Sequence, residues 1–255
     1  MSRGPQNSPN SLLSWGKYSL KYFLDSSKIL SLRDLFARML SLTEENYLKA
    51  IYHLSDGGSG LVSTNELADA MQTKAASVTD MMKKLSVKEL IHYERYYGVN
   101  ITAKGKLQAL QVIRKHRLWE TFLVQKLGFT WDEVHEVAEQ LEHIQSGRLI
   151  DKLDEYLGFP KVDPHGDPIP DQHGKLKSLP QVSLDQMKPG SKGIISSVKD
   201  SDPELLKYLD KIGAKPGIKI QVVNRESYDE SIEVIIERKK VFVSKEVSKN
   251  ILLSI

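Results

Sequence analysis

The sequence predicts a mainly α chain that ends in a small β domain. Three observations carry this. Between Leu42 and Leu157 apolar residues recur at helical spacing, in runs broken by glycines and capping residues. Two short β-type runs, Ile91 to Tyr93 and Val99 to Thr102, interrupt those helices around Glu94-Arg95-Tyr96-Tyr97-Gly98. From Ser183 the alternation changes to period two. A chain of 255 residues can bury a core and divides into two or three domains.

Residues 1–40 form an N-terminal extension with little pattern. Met1 to Asn10 is polar, contains Pro and Gly, and reads as disordered. Leu12 to Met39 mixes apolar residues with Lys17, Lys21, Asp25, Lys28, Arg33, Asp34 and Arg38, which is not the apolar run of a secretory signal. It suits an amphipathic helix pair or a transit-like presequence, and Met39, just ahead of the first patterned helix, is the favoured natural start.

Residues 41–103 carry the next pattern. Thr43 is placed to cap a helix with Glu44 and Glu45 in its first turn, where carboxylates oppose the helix dipole. Tyr47, Leu48, Ile51, Tyr52 and Leu54 give its apolar stripe, and Asp56-Gly57-Gly58-Ser59-Gly60 ends it. Ser63-Thr64-Asn65-Glu66 fits a capping box ahead of Leu67, Ala68 and Met71. A third helix, Ala75 to Glu89, points Val78, Met81, Met82 and Leu85 inward.

Three helices followed by a basic-tipped hairpin is the layout of a winged helix-turn-helix, whose third helix enters the major groove of DNA. Lys74, Ser77, Thr79 and Asp80 then face base edges, and Ala76 can touch a thymine methyl. Lys83, Lys84 and Arg95 suit phosphates, which set register and affinity rather than sequence choice. The plainer alternative for Lys83 or Lys84 alone is a solvated surface lysine.

Residues 104–160 read as a helical domain: a long helix from Ala103 to Leu127, a second from Trp131 to Gly147, and a third from Leu149 to Leu157. On the second, at ~100° per residue, His135, Glu139, Glu142 and His143 share about a third of the circumference. Val134, Val137, Ala138, Leu141 and Ile144 take a separate, core-facing arc. His116 and Glu120 form another pair one turn apart on the long helix. A single such pair is usually a solvated polar face; two carboxylates and two imidazoles on one arc, with a second pair nearby, favour a divalent-metal site. The chain has no cysteine, so a protein-ligated ion must use nitrogen and oxygen, which suits manganese or ferrous iron and excludes a zinc ribbon. Ile150, Leu153, Tyr156 and Leu157 offer a packing or dimer seam.

Net charge is only +3, but it is unevenly spread. Lys74 to Arg117 holds ten Lys/Arg against three Asp/Glu, and Glu120 to Glu155 three against nine. A polyanion-binding head joined to a cation-binding body follows from that contrast. Residues 161–182 read as a Pro-rich linker, and residues 183–255 as a small barrel. Its strands are Gly193 to Val198, Lys219 to Val223, Ile232 to Ile236 and Val241 to Val243, with a helix from Pro203 to Ile212. No apolar run approaches the ~18 residues of a membrane span. Catalysis is not expected: Gln140 stands three residues before His143 where a di-iron bundle wants Glu, and no nucleophile arrangement or phosphate-cradling glycine loop stands out.

Five segments together resemble the family of metal-dependent transcriptional repressors typified by the diphtheria-toxin repressor and its manganese-sensing relatives. They are Leu42-Thr43-Glu44-Glu45-Asn46-Tyr47-Leu48, Ala75-Ala76-Ser77-Val78-Thr79, Arg114-Lys115-His116-Arg117-Leu118, Glu139-Gln140-Leu141-Glu142-His143 and Asp163-Pro164-His165-Gly166-Asp167-Pro168-Ile169-Pro170. The likeness covers about residues 42–170, and the C-terminal region looks like the family's SH3-like, FeoA-like domain.

The resemblance implies ligand roles for Glu139, Glu142 and His143 at one metal site and for His116, Glu120 and His135 at a second. Glutamate at position 139 is the manganese-type choice, where iron-type members carry cysteine. Asn46 stands where members supply Met or Asp, and Lys49 where the small two-domain manganese sensors have a glutamate ligand. Glu204 is the nearest match to a ligand reaching back from the C-terminal domain, while His165 and His173 read as turn residues. The implied activity is that of a cytoplasmic homodimeric repressor. It would bind palindromic operator DNA when loaded with metal, Mn(II) first and Fe(II) as the alternative, and control metal-uptake genes. It would have no membrane partner and no small-molecule substrate. A metal-independent winged-helix regulator is the rival reading.

Overall fold

The computed structural model describes residues 40–177 and 180–254; the readings made for residues 1–39 lie outside them. Helix α1 (Leu42–Leu54) buries Tyr47, Leu48, Ile51 and Tyr52 as the stripe predicts, whereas Leu54, expected in the same stripe, is exposed at the last turn. It begins one residue ahead of Thr43, so Thr43 is inside the helix rather than capping it, and both first-turn carboxylates, Glu44 and Glu45, are buried. Before α2 (Thr64–Ala70) the expected reciprocal cap is formed. Glu66 N donates to Ser63 Oγ at 3.2 Å, and Ser63 N donates to Glu66 Oε2 at 2.8 Å. Helix α3 (Ala75–Val87) buries Val78, Met82 and Leu85, with Met81 half-buried.

Strands β1 (Ile91–Glu94) and β2 (Gly98–Ile101) pair antiparallel with Ile91 opposite Ile101. Val62 bridges Val99, which ties the hairpin to the segment before α2. Helix α4 (Ala103–Leu127) starts at once, with the Thr102 hydroxyl accepting from Gly105 N at 3.0 Å. A Cβ on Gly105 would strike the Leu90 carbonyl oxygen, so only glycine lets α4 leave the wing so closely. At ~1.5 Å per residue its 25 residues form a beam of roughly 37 Å.

Helices α5 (Val134–Leu141) and α6 (Gly147–Tyr156) both pack on α4. The single helix expected from Trp131 to Gly147 is therefore shorter. Trp131 leaves the helix to join the core of the C-terminal domain, and Ser146 accepts from Leu149 N to start α6. Glu142 and His143 thus stand at the C-terminal end of α5. Leu118, Ile150 and Leu153 form a small core there, flanked by Trp119, Phe122, Leu157 and Ile169.

The Pro-rich segment lies along α4 as a strap. Arg114 donates to Pro170 O at 3.3 Å and pairs with Asp154 at 2.8 Å. Arg117 pairs with Asp163 at 3.3 Å and with Asp167 at 2.9 Å. Gly166, at φ +89°, lets the strap pass so close to Ser196 that a Cβ would strike its carbonyl oxygen, and Val198 N donates to His165 O at 3.0 Å.

The remaining chain supplies β3 (Val182–Ser183), β4 (Lys192–Val198), α7 (Pro203–Ile212), β5 (Lys219–Arg225), β6 (Ile232–Ile236), β7 (Lys239–Val243), α8 (Lys245–Asn250) and β8 (Ile251–Ser254). The strands form one antiparallel sheet in the order β3-β8-β4-β5-β6-β7, an SH3-like sheet that stays open where a closed barrel was expected. Bulges at Ile195/Ser197 and Val222/Asn224 interrupt its register and bend it around Ile195, Leu206, Leu209, Val222, Val234 and Trp131. No helix among the described residues is long and apolar enough to cross a membrane.

Gly105→Ala is expected to destabilise the protein by about 1–3 kcal/mol, because the new methyl overlaps backbone that cannot swing aside. Chemical denaturation of the two proteins side by side measures it.

Candidate metal centre

Two turns of α4 and one face of α5 bring His116, Glu120 and His135 together. His116 Nε2 lies 3.0 Å from Glu120 Oε1 and 3.2 Å from His135 Nδ1, and their donor atoms lie within 4.8 Å of one another. Glu139 sits at the rim, half exposed, with Oε1 3.6 Å from His135 Nε2. The other nitrogen of His116, Nδ1, is 2.6 Å from Glu142 Oε2. That carboxylate is wholly buried. A carboxylate at Nδ1 orients an imidazole and leaves Nε2 to face the ligand cluster, as at metal-bound histidines.

Beyond α5, His143 Nδ1 meets Glu45 Oε2 on α1 at 2.6 Å, and its Nε2 is 3.6 Å from Glu142 Oε1. Glu45 Oε1 accepts from Gln145 at 2.9 Å and from Lys115 at 3.3 Å. Also on α1, Asn46 Oδ1 is buried without a hydrogen-bond partner, and Lys49 reaches Glu142 Oε1 at 2.7 Å. The head's first helix therefore meets the end of α5 through polar and charged groups.

A second group extends the first. The strap buries Asp163 and His165 against α4, and with Glu120 they form another set whose donor atoms lie within 4.8 Å of one another. His165 Nδ1 is 3.6 Å from Glu120 Oε2, while its Nε2 is 2.8 Å from the Trp131 carbonyl oxygen and its ring stacks on Trp131. These groups line a cavity of about 320 Å³, together with Lys49 from the head and Val198, Lys199 and Ser201 from the C-terminal domain.

The electrostatics match a site built for positive charge. Burial opposes charging His116, yet hydrogen bonds to Glu120 and Glu142 outweigh it and push its pKa up to about 9. His165 is likewise pushed up to about 9: burial works against it, and Glu120 and Asp163 prevail. Burial pushes Asp163 up to about 7, helped by nearby Glu120 and opposed by Arg117. Burial would raise Glu142 too, but His116 and Lys49 hold it below the usual range. Lys49, Arg117 and protonated imidazoles supply the positive charge that faces these carboxylates.

The donors fit a hard or borderline divalent cation. All are nitrogen or oxygen, three-donor sets are already assembled, and Asn46 Oδ1 is a buried acceptor with nothing to accept. Of the ligands expected from sequence, His116, Glu120 and His135 bring their donor atoms within 4.8 Å of one another. Glu139 and Glu142 adjoin them through His135 and His116, while His143 turns its Nδ1 to Glu45 and Asn46 lies on α1. Glu204 is a correction: it sits in the first turn of α7, its side chain 84% exposed, paired with Lys207 at 3.0 Å. As a helix-start carboxylate next to the Asp202 cap, it points to solvent, away from the cluster. His165, read as a turn residue, is buried beside Glu120 instead, and His173 pairs with Gln172 in an exposed turn. Sequence reasoning passed over Glu45, Asp163 and His165. The motif Asp163-Pro164-His165-Gly166-Asp167 was the available signal, masked by the turn-like composition around it.

On the head, Lys74, Ala76, Ser77, Asp80, Lys83 and Lys84 are exposed along α3 and its start. Thr79 is half-buried and gives its hydroxyl to Ala75 O at 2.9 Å; Asp80 pairs with Lys83 at 3.3 Å. Arg95, at the hairpin tip, lies over the Tyr96 ring at 4.9 Å, and Tyr96 and Tyr97 are both exposed. Lys74, Lys83 and Lys84 on α3 and its start, and Arg95 on the hairpin, are the Lys and Arg groups of these two elements.

Comparison with known proteins gives concordant matches. The family described as iron dependent repressor, N-terminal DNA binding domain, matches residues 39–99. The iron dependent repressor metal binding and dimerisation domain matches residues 102–171, and the FeoA domain residues 182–255. The iron-dependent repressor IdeR of Mycobacterium leprae is 32% identical over 50% of this chain and 55% of its own length. The chain thus spans about half of that relative. An uncharacterized HTH-type transcriptional regulator of Methanocaldococcus jannaschii is 34% identical over 45% of this chain and 91% of its own. Among solved structures, a manganese-dependent transcriptional repressor in complex with manganese is 35% identical, with a TM-score of 0.75, covering 82% of this chain and 98% of its own. ScaR with bound Cd2+ is 31% identical, with a TM-score of 0.70, covering 83% and 98%.

Without metal, the protein is expected to lose thermal stability between about pH 7 and 9. The two histidines have folded pKa values near 9, above the ordinary value of 6.5, so their contribution is complete below about pH 6.5 and disappears as pH rises through 9. Melting curves in chelator across that range should fall, and His116→Gln should flatten the fall.

Proposed function

The chain belongs to the iron-dependent repressor family, and from that membership we propose that it is a metal-dependent transcriptional repressor. In this reading it binds palindromic operator DNA as a homodimer when loaded with a divalent cation, foremost Mn(II), and governs metal-uptake genes in the cytoplasm. The observation that carries the proposal is the meeting of head and body through ligand-type groups. Glu45 of α1 meets His143 at the end of α5, Lys49 of α1 meets Glu142, and the Oδ1 of Asn46 on the same helix is buried and unbonded.

Glu139, Glu142, His143 and Asn46 would hold one ion, and His116, Glu120, His135, Asp163 and His165 would supply a second set. A divalent cation held there would supply fixed positive charge to these carboxylates and neutral imidazoles. Glu142 positions His116 through Nδ1, and Arg117 keeps Asp163 and the strap in place. Trp131 supports His165 from the C-terminal core. Fixing α1 against α5 fixes α3, and two α3 helices in a dimer then match two half-sites. By linkage, DNA must tighten metal binding by the same factor; couplings of ~1–3 kcal/mol, roughly 5- to 150-fold, are ordinary.

Manganese is preferred to ferrous iron because the donor set contains no thiolate and position 139 is a carboxylate. The likeness to a manganese-dependent repressor in complex with manganese supports the same choice, and the iron-dependent relatives keep Fe(II) as the second reading. Lys83, Lys84 and Arg95 would take phosphates, with Lys74, Ala76, Ser77, Thr79 and Asp80 nearer the base edges.

Fluorescence anisotropy with a duplex operator, titrated anaerobically with Mn(II) and Fe(II), tests the proposal. Metal should tighten binding of the unaltered protein, and Glu139→Ala and His143→Ala should each abolish that response while leaving a folded dimer. Undiminished metal-stimulated binding in both variants overturns the assignment.

A further inference from the structure

Lys49 sits where an ion would have to go. Its Nζ is 2.7 Å from Glu142 Oε1 and 3.5 Å from Glu139 Oε1, and its side chain is only 17% exposed. Glu142 has both oxygens engaged, Oε1 by this ammonium and Oε2 by His116 Nδ1 at 2.6 Å. A divalent cation bound at Oε1 would stand within a few ångströms of this ammonium, and like charges that close repel strongly away from bulk water. The His116 bond orients a ligand ring. The lysine, in contrast, is a point charge on a flexible four-carbon stem, and it lines the cavity of about 320 Å³ into which it can retract.

We propose that Lys49 is a tethered counterion, competing with the divalent cation for Glu139 and Glu142 and thereby setting the concentration at which the site fills. The proposal rests on the metal-site reading above. In the ion-free protein the ammonium neutralises part of the acidic charge at the end of α5 and holds α1 against it. Filling the site requires breaking that enclosed ion pair, so the apparent affinity is lower than the ligand set alone would give. An uncharged side chain of similar length removes the competitor and leaves two under-neutralised carboxylates. A lysine serving merely as a structural clasp would behave oppositely, since losing it would loosen the ligands.

The test is direct Mn(II) binding to the full chain without DNA, read from the electron paramagnetic resonance signal of free Mn(II). Lys49→Met is expected to bind about tenfold tighter than the unaltered protein. Lys49→Arg, which keeps the charge, should stay within about threefold of it. Circular dichroism confirms folding, and Lys49→Gln replaces the methionine variant if that one does not fold. Equal or weaker affinity in the uncharged variant overturns the proposal. Failure of the unaltered protein to bind Mn(II) at all overturns the metal-site reading itself, a different result from the first.

Discussion

One buried carboxylate organises the junction on which the rest depends. Glu142 is fully enclosed, and an enclosed carboxylate must be neutralised on all sides or it will not stay ionised. It is met by His116 from α4 and by Lys49 from α1, so its charge can be satisfied only if the head and the helical body are docked. The same demand repeats one step outward, where His143 faces Glu45 across the same seam. Helix α1 also packs along α4, a contact that does not depend on conditions. A junction made of acids and imidazoles holds to a degree set by which cations are present, and that is the property a sensor needs.

Helix α4 gives this junction its reach. Gly105 fixes where it leaves the wing, and from there its side chains face every other part of the protein in turn. Lys115 meets Glu45 of the head, His116 and Glu120 meet α5, and Arg114 and Arg117 clamp the strap. The strap carries His165 to Glu120 and is itself pinned to β4 through Gly166 and Val198. These contacts join the acidic cluster to the head on one side and to the C-terminal domain on the other.

What could be read in the sequence follows the range of the physics involved. Local signals did well: the Ser63–Glu66 cap, the core stripe of α1, the wing and the Pro203–Ile212 helix each depend on neighbours in the chain. The proximity of His116, Glu120 and His135 was readable because helical spacing places each on the inner face of its helix. Glu45 and His165 were not, since each gains its role from a partner almost a hundred or some forty-five residues away, and locally one resembles a helix-start acid and the other a turn. Glu204 erred in the opposite direction: at the start of a helix, a carboxylate is already explained by the helix dipole, and nothing draws it inward. The two-residue β3 and the four-residue β8 are too short to show a period, and sheet closure depends on edges no single strand reveals.

Charge at position 49 shows why a ligand list alone does not specify a sensor. The acids near α5 attract any cation, and Irving–Williams ordering means a strong open site would fill with the wrong metal or fill permanently. A resident ammonium weakens every divalent competitor alike, because it acts on the carboxylates and not on the ion. Selectivity is then left to donor type, where the absence of thiolates matters, while the threshold is set separately by an internal charge. Splitting the two functions between different side chains allows one to change without the other: altering Lys49 shifts when the site fills, while the ligands themselves stay in place.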